Sequence, residues 1–360
     1  MVPLDTPPAS TSAVEPALPR TRGPLTEALF ARLTTGDPLV RPVQLDDVDP
    51  LVDDDLHLAL WCCYELHHHG FAGVVDDMEW DAQVLEFRAA LEGAFESALR
   101  DERSTVSLPQ DPRLAVRVIT QWAGTSLSGW MEDRGSIDHL REFAIHRSAY
   151  QLKEADGHTW GIPRLRGPGR SAYIEIQSDE YGEGRPGEAH CELFADGMRD
   201  LGLCPDFGAY LDRLPGPTLA TDNLISLFGL HRRNRGCLIG HLTLFEVTSV
   251  TPMSRYLSVV RRCGHLPSLE RFYAVHVEAD AHHGQLALDQ MMGGFLKSEP
   301  SLAEAMVFGA VALSRVENRF TKHLVQAWDE GRTSLLGPAG TPVEVPVASP
   351  RPEVHSGSPA

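Results

Sequence analysis

No apolar run in the 360 residues approaches the ~20 that a membrane-spanning helix requires, so insertion into a bilayer is excluded. Basic charge is also short: 32 Lys and Arg against 50 Asp and Glu leave a formal net charge of -18. That field repels phosphate backbones and anionic lipid surfaces, which leaves small molecules as the expected partners and rules against nucleic acid. Cysteine is sparse, and Cys62, Cys63, Cys191, Cys204, Cys237 and Cys263 contain no C-x-x-C pair. The opening residues MVPLDTPPASTS lack an apolar signal core. A cytoplasmic protein with reduced thiols is the expectation. There is no His-Glu-x-x-His, no Gly-x-Gly-x-x-Gly after a strand, no Walker A loop and no Gly-x-Ser-x-Gly elbow. Segments that read as strands are absent too.

What is present is helical periodicity. Apolar residues recur at three- and four-residue steps in LHLALWCCYELHHH, AQVLEFRAALEGAFESALRDE, LAVRVITQWAGTSLSGWM, IDHLREFAIHRSAYQLKEA, ATDNLISLFGLHRR, IGHLTLFEVTS and the long segments that follow. The breaks fall at GIPRLRGPGR, EGRPGE, RLPGPT and RCGHLPS. This pattern predicts an all-α protein of about eight to eleven helices with no solenoid period. Residues 1–24 and 336–360, rich in Pro, Ser, Thr and Ala, read as disordered tails. Residues 25–110 read as a helical extension and 111–335 as the main bundle. The apolar face of LALWCCYEL needs cover, which makes a homodimer through the extension an expectation.

The chemistry concentrates in 276-HVEADAHHG-284. At about 100° per residue, His276, Asp280 and His283 lie at i, i+4 and i+7, within roughly 60° of one another on a helix. They share a face, while Glu278 and His282 point elsewhere. Inward-facing carboxylates and imidazoles on separate helices are how a bundle builds a redox or hydrolytic metal site. Partners for this face are Glu246, an acid inside the apolar run LTLFEVTS; Glu180 and His190 in SDEYGEGRPGEAH; and Glu154 in YQLKEADGHTW. Glu175, Glu183 and Glu188 could stand in for Glu180, and Asp156 for Glu154. Three imidazoles with four carboxylates suit iron or manganese, and the want of a thiolate disfavours structural zinc. Seven donors exceed the needs of one ion and suit a pair bridged by a carboxylate. A ferritin-like arrangement would need two Glu-x-x-His motifs, and only Glu65 and His68 supply one.

His276-x-x-x-Asp280-x-x-His283, with Glu246 thirty residues earlier and Glu180 ten before His190, resembles the heme-oxygenase-like di-iron oxidases and oxygenases, the iron-containing redox enzymes. The resemblance spans roughly residues 55–330. It implies a heme-oxygenase-like helical bundle carrying an N-terminal helical extension. It also implies a metal-ligand set of Glu154, Glu180, His190, Glu246, His276, Asp280 and His283, with no further catalytic residue. The expected cofactors are two Fe2+ ions, with O2 as co-substrate and room for an external electron donor. The implied activity is oxidation of a small metabolite by amine N-oxygenation or by oxidative C–C cleavage or decarboxylation. The alternatives are a metal-free helical interaction protein, or a protein of the same fold without the di-iron site.

Overall fold

Proline and short polar residues decide where the helices of this chain begin. The computed structural model describes residues 15–40, 45, 48–102, 107–122 and 124–337. The helices are α1 (Pro24–Thr35), α2 (Asp54–Glu65), α3 (Ala82–Asp101), α4 (Pro112–Ile119), α5 (Leu127–Arg134), α6 (Ile137–Gln151), α7 (Asp156–Thr159), α8 (Gly167–Glu180), α9 (His190–Asp200), α10 (Gly216–Leu230), α11 (Arg235–Cys263), α12 (Pro267–Gln285), α13 (Gly293–Ser298) and α14 (Ala303–Asp329). Asp53, Asp81, Asp111 and Ser126 cap helices by accepting amide hydrogens of the first turn. Proline occupies the first turn of α1, α4, α8, α10 and α12, where its missing N–H costs nothing. No β-strand occurs among the described residues.

The helices are more numerous than periodicity suggests, because some apolar runs continue through a break. LAVRVITQWAGTSLSGWM divides into α4 and α5, where the chain leaves the helix after Thr120 and re-enters under the Ser126 cap. IGHLTLFEVTS instead belongs to a much longer helix: α11 runs on to Cys263 through Pro252. It is the axis of the bundle, packed against α12, α14 and α5, while α12 lies against α9, and α10 against α2 and α14. Contact between α11 and α14 is backbone to backbone. A Cβ at Gly240 would run into the Met306 carbonyl, and one at Gly309 into that of Cys237. After α12 the chain passes into a π-helical stretch, Leu286–Met292, that rests on α8. Such widened turns are frequent beside functional sites.

Residues 58–66, for which a partner copy was expected, are covered within the chain. Leu58 to Glu65 are at most 1% exposed, buried against α10 and α3. The apolar side chains from Leu29 to Leu335 form one continuous core, so the 25–110 segment shares it with the rest. Of the two expected tails, residues 1–14 and 338–360 lie outside the described residues. Residues 15–23 lie along the bundle, where Arg20 donates to Asp212 and Arg22 to the Leu211 carbonyl at 2.7 Å.

Candidate metal centre

Five elements converge on one point in the core. Glu154 stands in the turn that leaves α6, followed by Ala155 at a φ of 77°, a left-handed conformation that a residue with a Cβ adopts only under constraint. Glu180 is the last residue of α8 and His190 the first of α9. Glu246 projects from the fourth turn of α11, and His276, Asp280 and His283 from one face of α12. None of the seven exceeds 8% exposure. Four carboxylates buried together are strongly unfavourable unless cations or protons balance them. Glu180 is also set against the negative end of its own helix dipole.

The donor atoms fall into two groups. Glu154, Glu180, His190 and His276 each offer an atom within 4.8 Å of the others, and so do Glu180, Asp280 and His283. Glu180 belongs to both groups. Glu246 joins the second, its carboxylate 3.6 Å from His283 Nδ1, which is in turn 3.8 Å from Asp280. In the first group His190 Nδ1 lies 2.7 Å from Glu180, and His276 Nε2 lies 3.6 Å from Glu154. Glu154 Oε2, His190 Nδ1, His276 Nε2, Asp280 Oδ2 and His283 Nδ1 are all buried without an aligned hydrogen-bond partner, the close approach of His190 to Glu180 included. Each belongs to one of the two groups, and this concentration of inward-facing orphan atoms fits a pair of metal ions.

Neighbouring groups fix which imidazole nitrogen faces inward. His276 Nδ1–H donates to the Phe272 carbonyl at 2.8 Å, leaving Nε2 free toward Glu154. His283 Nε2–H donates to Asp179 at 2.8 Å, leaving Nδ1 free toward Glu246 and Asp280. A ring held this way presents its lone pair to a metal. The charges are strongly coupled. Burial alone would lower His276, yet the carboxylates of Glu154, Glu180 and Asp280 lift it to about 10. Burial likewise opposes the rise of His283, which Glu246, Asp179 and Glu180 carry to about 9. Burial raises Glu246, and with Glu180 and Asp280 brings it to about 8 against the pull of His283. For Glu180 burial acts upward, but His190, His276 and His283 hold it down at about 2.

The local alternatives separate cleanly. Glu175 is exposed beside His282 at 3.3 Å, Glu183 pairs with Arg185 at 2.8 Å and Glu188 with Arg271 at 2.6 Å. Asp156 accepts from the Tyr181 hydroxyl at 2.7 Å. Glu65 and His68 lie outside both donor groups. Sequence reasoning overlooked Asp179, which only its place beside Glu180 could have suggested. It also overlooked Lys153, buried at 4% exposure between Glu65 at 3.0 Å and Asp222 at 2.9 Å. Asp222 accepts in addition from Trp61 Nε1 at 2.7 Å. Through these bonds α2 and α10 grip the turn that carries Glu154.

No curated protein matches the chain. Residues 141–318 match the family model described as iron-containing redox enzyme. Across that segment, which holds all seven of the converging residues, the chain belongs to the iron-containing redox enzyme family.

Proposed function

We propose that this protein is a non-heme di-iron oxidoreductase that uses O2 to oxidise a small metabolite, by amine N-oxygenation or oxidative C–C cleavage. The observation that carries the reading is the division of the buried donors into two groups with Glu180 in common. One ion would be held by Glu154, Glu180, His190 and His276, the other by Glu180, Glu246, Asp280 and His283. When bound, two ferrous ions would supply the electrons that activate O2.

The chain's own part is position, charge and proton control. The four carboxylates match the four positive charges of two ferrous ions, so the loaded cage is neutral and tolerates burial. Phe272 and Asp179 keep His276 and His283 in the tautomers that face inward. Tyr150 stands at the edge of the cage, where burial and then Glu154, Glu180 and Glu246 push its phenol well up, so it keeps its proton on the phenolic oxygen. Leu242, Phe245 and Met253 close the cage against water. A metal-free interaction role gives the five orphan atoms no partner. The test is anaerobic loading with ferrous iron followed by O2, monitored by absorbance and oxygen uptake. Oxygen uptake with an accompanying absorbance change is expected, and both should be lost in His276→Ala, Asp280→Ala and His283→Ala. Unaltered oxygen uptake in all three variants would refute the assignment.

A further inference from the structure

A second and much larger space lies beside the cage. A cavity of about 400 Å³ opens between α4, α5, α6, α11 and α14. Tyr150, Phe245 and Met253 wall both this cavity and the cage. Ser249, on the cavity side, donates its hydroxyl to the Glu246 carbonyl at 3.0 Å. The volume suits a small metabolite, and most of its wall surface is apolar with hydroxyl and amide groups interspersed, as expected for a ligand site.

The charges lining this cavity differ in sign from those of the chain as a whole. Although the protein carries a net -18, the cavity is lined by one acid, Glu317, and two guanidiniums, Arg147 and Arg315. Glu317 is already engaged, accepting two parallel hydrogen bonds from Arg147 at 3.1 and 2.9 Å. Arg147 itself lies over the rings of Phe143 and Phe320, at 5.6 and 4.3 Å. A cationic ligand therefore meets no free carboxylate here. Arg315 is less well matched. It donates to the Leu99 carbonyl at 2.8 Å and stands 3.7 Å from Glu102, whose carboxylate is bound more closely by Arg319 at 2.9 Å. Among the described residues two guanidiniums thus share one carboxylate, which leaves a positive charge over at the cavity wall. Gln151 Oε1 and Trp122 Nε1, from two other lining residues, are buried without partners and offer neutral polar contacts.

We infer that this cavity is the substrate site and that it selects a small carboxylic acid with an apolar body. The carboxylate sits at Arg315, and the end remote from it lies against Tyr150, Phe245 and Met253 beside the cage. The inference rests on the di-iron reading and narrows it. Atoms distant from the carboxylate are presented for oxidation, so reaction at that end is favoured over loss of the carboxylate itself.

Calorimetric titration of the full chain, iron-loaded under argon, with 4-phenylbutanoate, 4-phenylbutanol and 4-phenylbutylamine compares one body with three head groups. The carboxylate should bind once per chain, about tenfold tighter than the alcohol, with the amine weakest. Arg315→Gln should weaken the carboxylate about tenfold and leave the alcohol unchanged, while Arg315→Lys, which keeps the charge, recovers most of the loss. Leu313→Trp, which fills the cavity, should abolish binding of all three. The inference is overturned if the amine binds as well as the carboxylate, if none of the three saturates, or if Arg315→Gln changes nothing. Iron content measured on the same samples separates the two readings. Carboxylate binding by protein that takes up no iron would strike the di-iron reading alone, whereas two irons without carboxylate preference would strike the cavity assignment alone.

Discussion

A carboxylate in the middle of LTLFEVTS can survive burial in two ways: it can keep a proton, or it can share a cation. Glu246 is 4% exposed, and burial with Glu180 and Asp280 brings it to about 8, so without a cation it holds its proton near neutrality. His276 and His283, held near 10 and 9, act in the same sense. All three bind protons more tightly folded than unfolded. Their contribution to stability is therefore full at low pH, and is lost as pH rises through the unfolded values and then through about 8 to 10. Glu180, held at about 2, matters only in acid and lies outside this window. Iron replaces the departing protons. The stabilisation by ferrous iron under argon should accordingly grow between pH 6.5 and 8.5, as thermal unfolding at matched free metal would show; a shift that shrinks with pH would contradict the assignment of these donors. At a hundredfold excess over Kd the shift is about 2.7 kcal/mol, or roughly 4 °C for a chain of this size. Glu246→Gln should narrow it by stabilising the iron-free form and weakening the bound one. An unchanged shift in this variant would remove Glu246 from the ligand set.

Among the elements, α12 was the most legible from sequence, because three ligand-type residues at i, i+4 and i+7 leave few other readings. Glu246 could be read from the conflict between one acid and its apolar neighbours, and the structure buries it. Glu180 and Glu154 were fixed only by the resemblance, since acids nearby had equal local claims. Tertiary contacts separate them: Glu175, Glu183 and Glu188 pair at or near the surface, whereas Glu180 turns inward at the end of α8. Glu154 was hardest because it belongs to a turn, not a helix, and the turn is held by partners far away in the chain. Lys153 is 88 residues from Glu65 and 69 from Asp222. No local pattern announces such a triad. Lys153→Met would leave Glu65 and Asp222 buried without their cation, at a cost of about 3–5 kcal/mol. Because the same turn aims Glu154, the variant should also lose iron preferentially from the group containing Glu154. Iron content and thermal unfolding together check this; a destabilised protein that still takes up its full iron would show that the triad serves stability alone.

For the molecule as a whole, the all-α bundle followed from helical periodicity and the want of strand patterns. The internal cover over α2 did not, because sequence shows that an apolar face needs burial without showing whether the cover lies in the same chain. Nor did the cavity, whose walls come from helices distant in sequence and whose Arg315 owes its spare charge to the sharing of Glu102 with Arg319. The central claim, that the converging residues hold two metal ions through a shared Glu180, is tested most directly by iron content per chain after anaerobic ferrous loading and desalting. The account predicts about two irons in the wild type and clearly fewer in Glu180→Ala, which removes a ligand from both positions at once. Wild-type protein that retains no iron, or a Glu180→Ala variant that retains both, would contradict it.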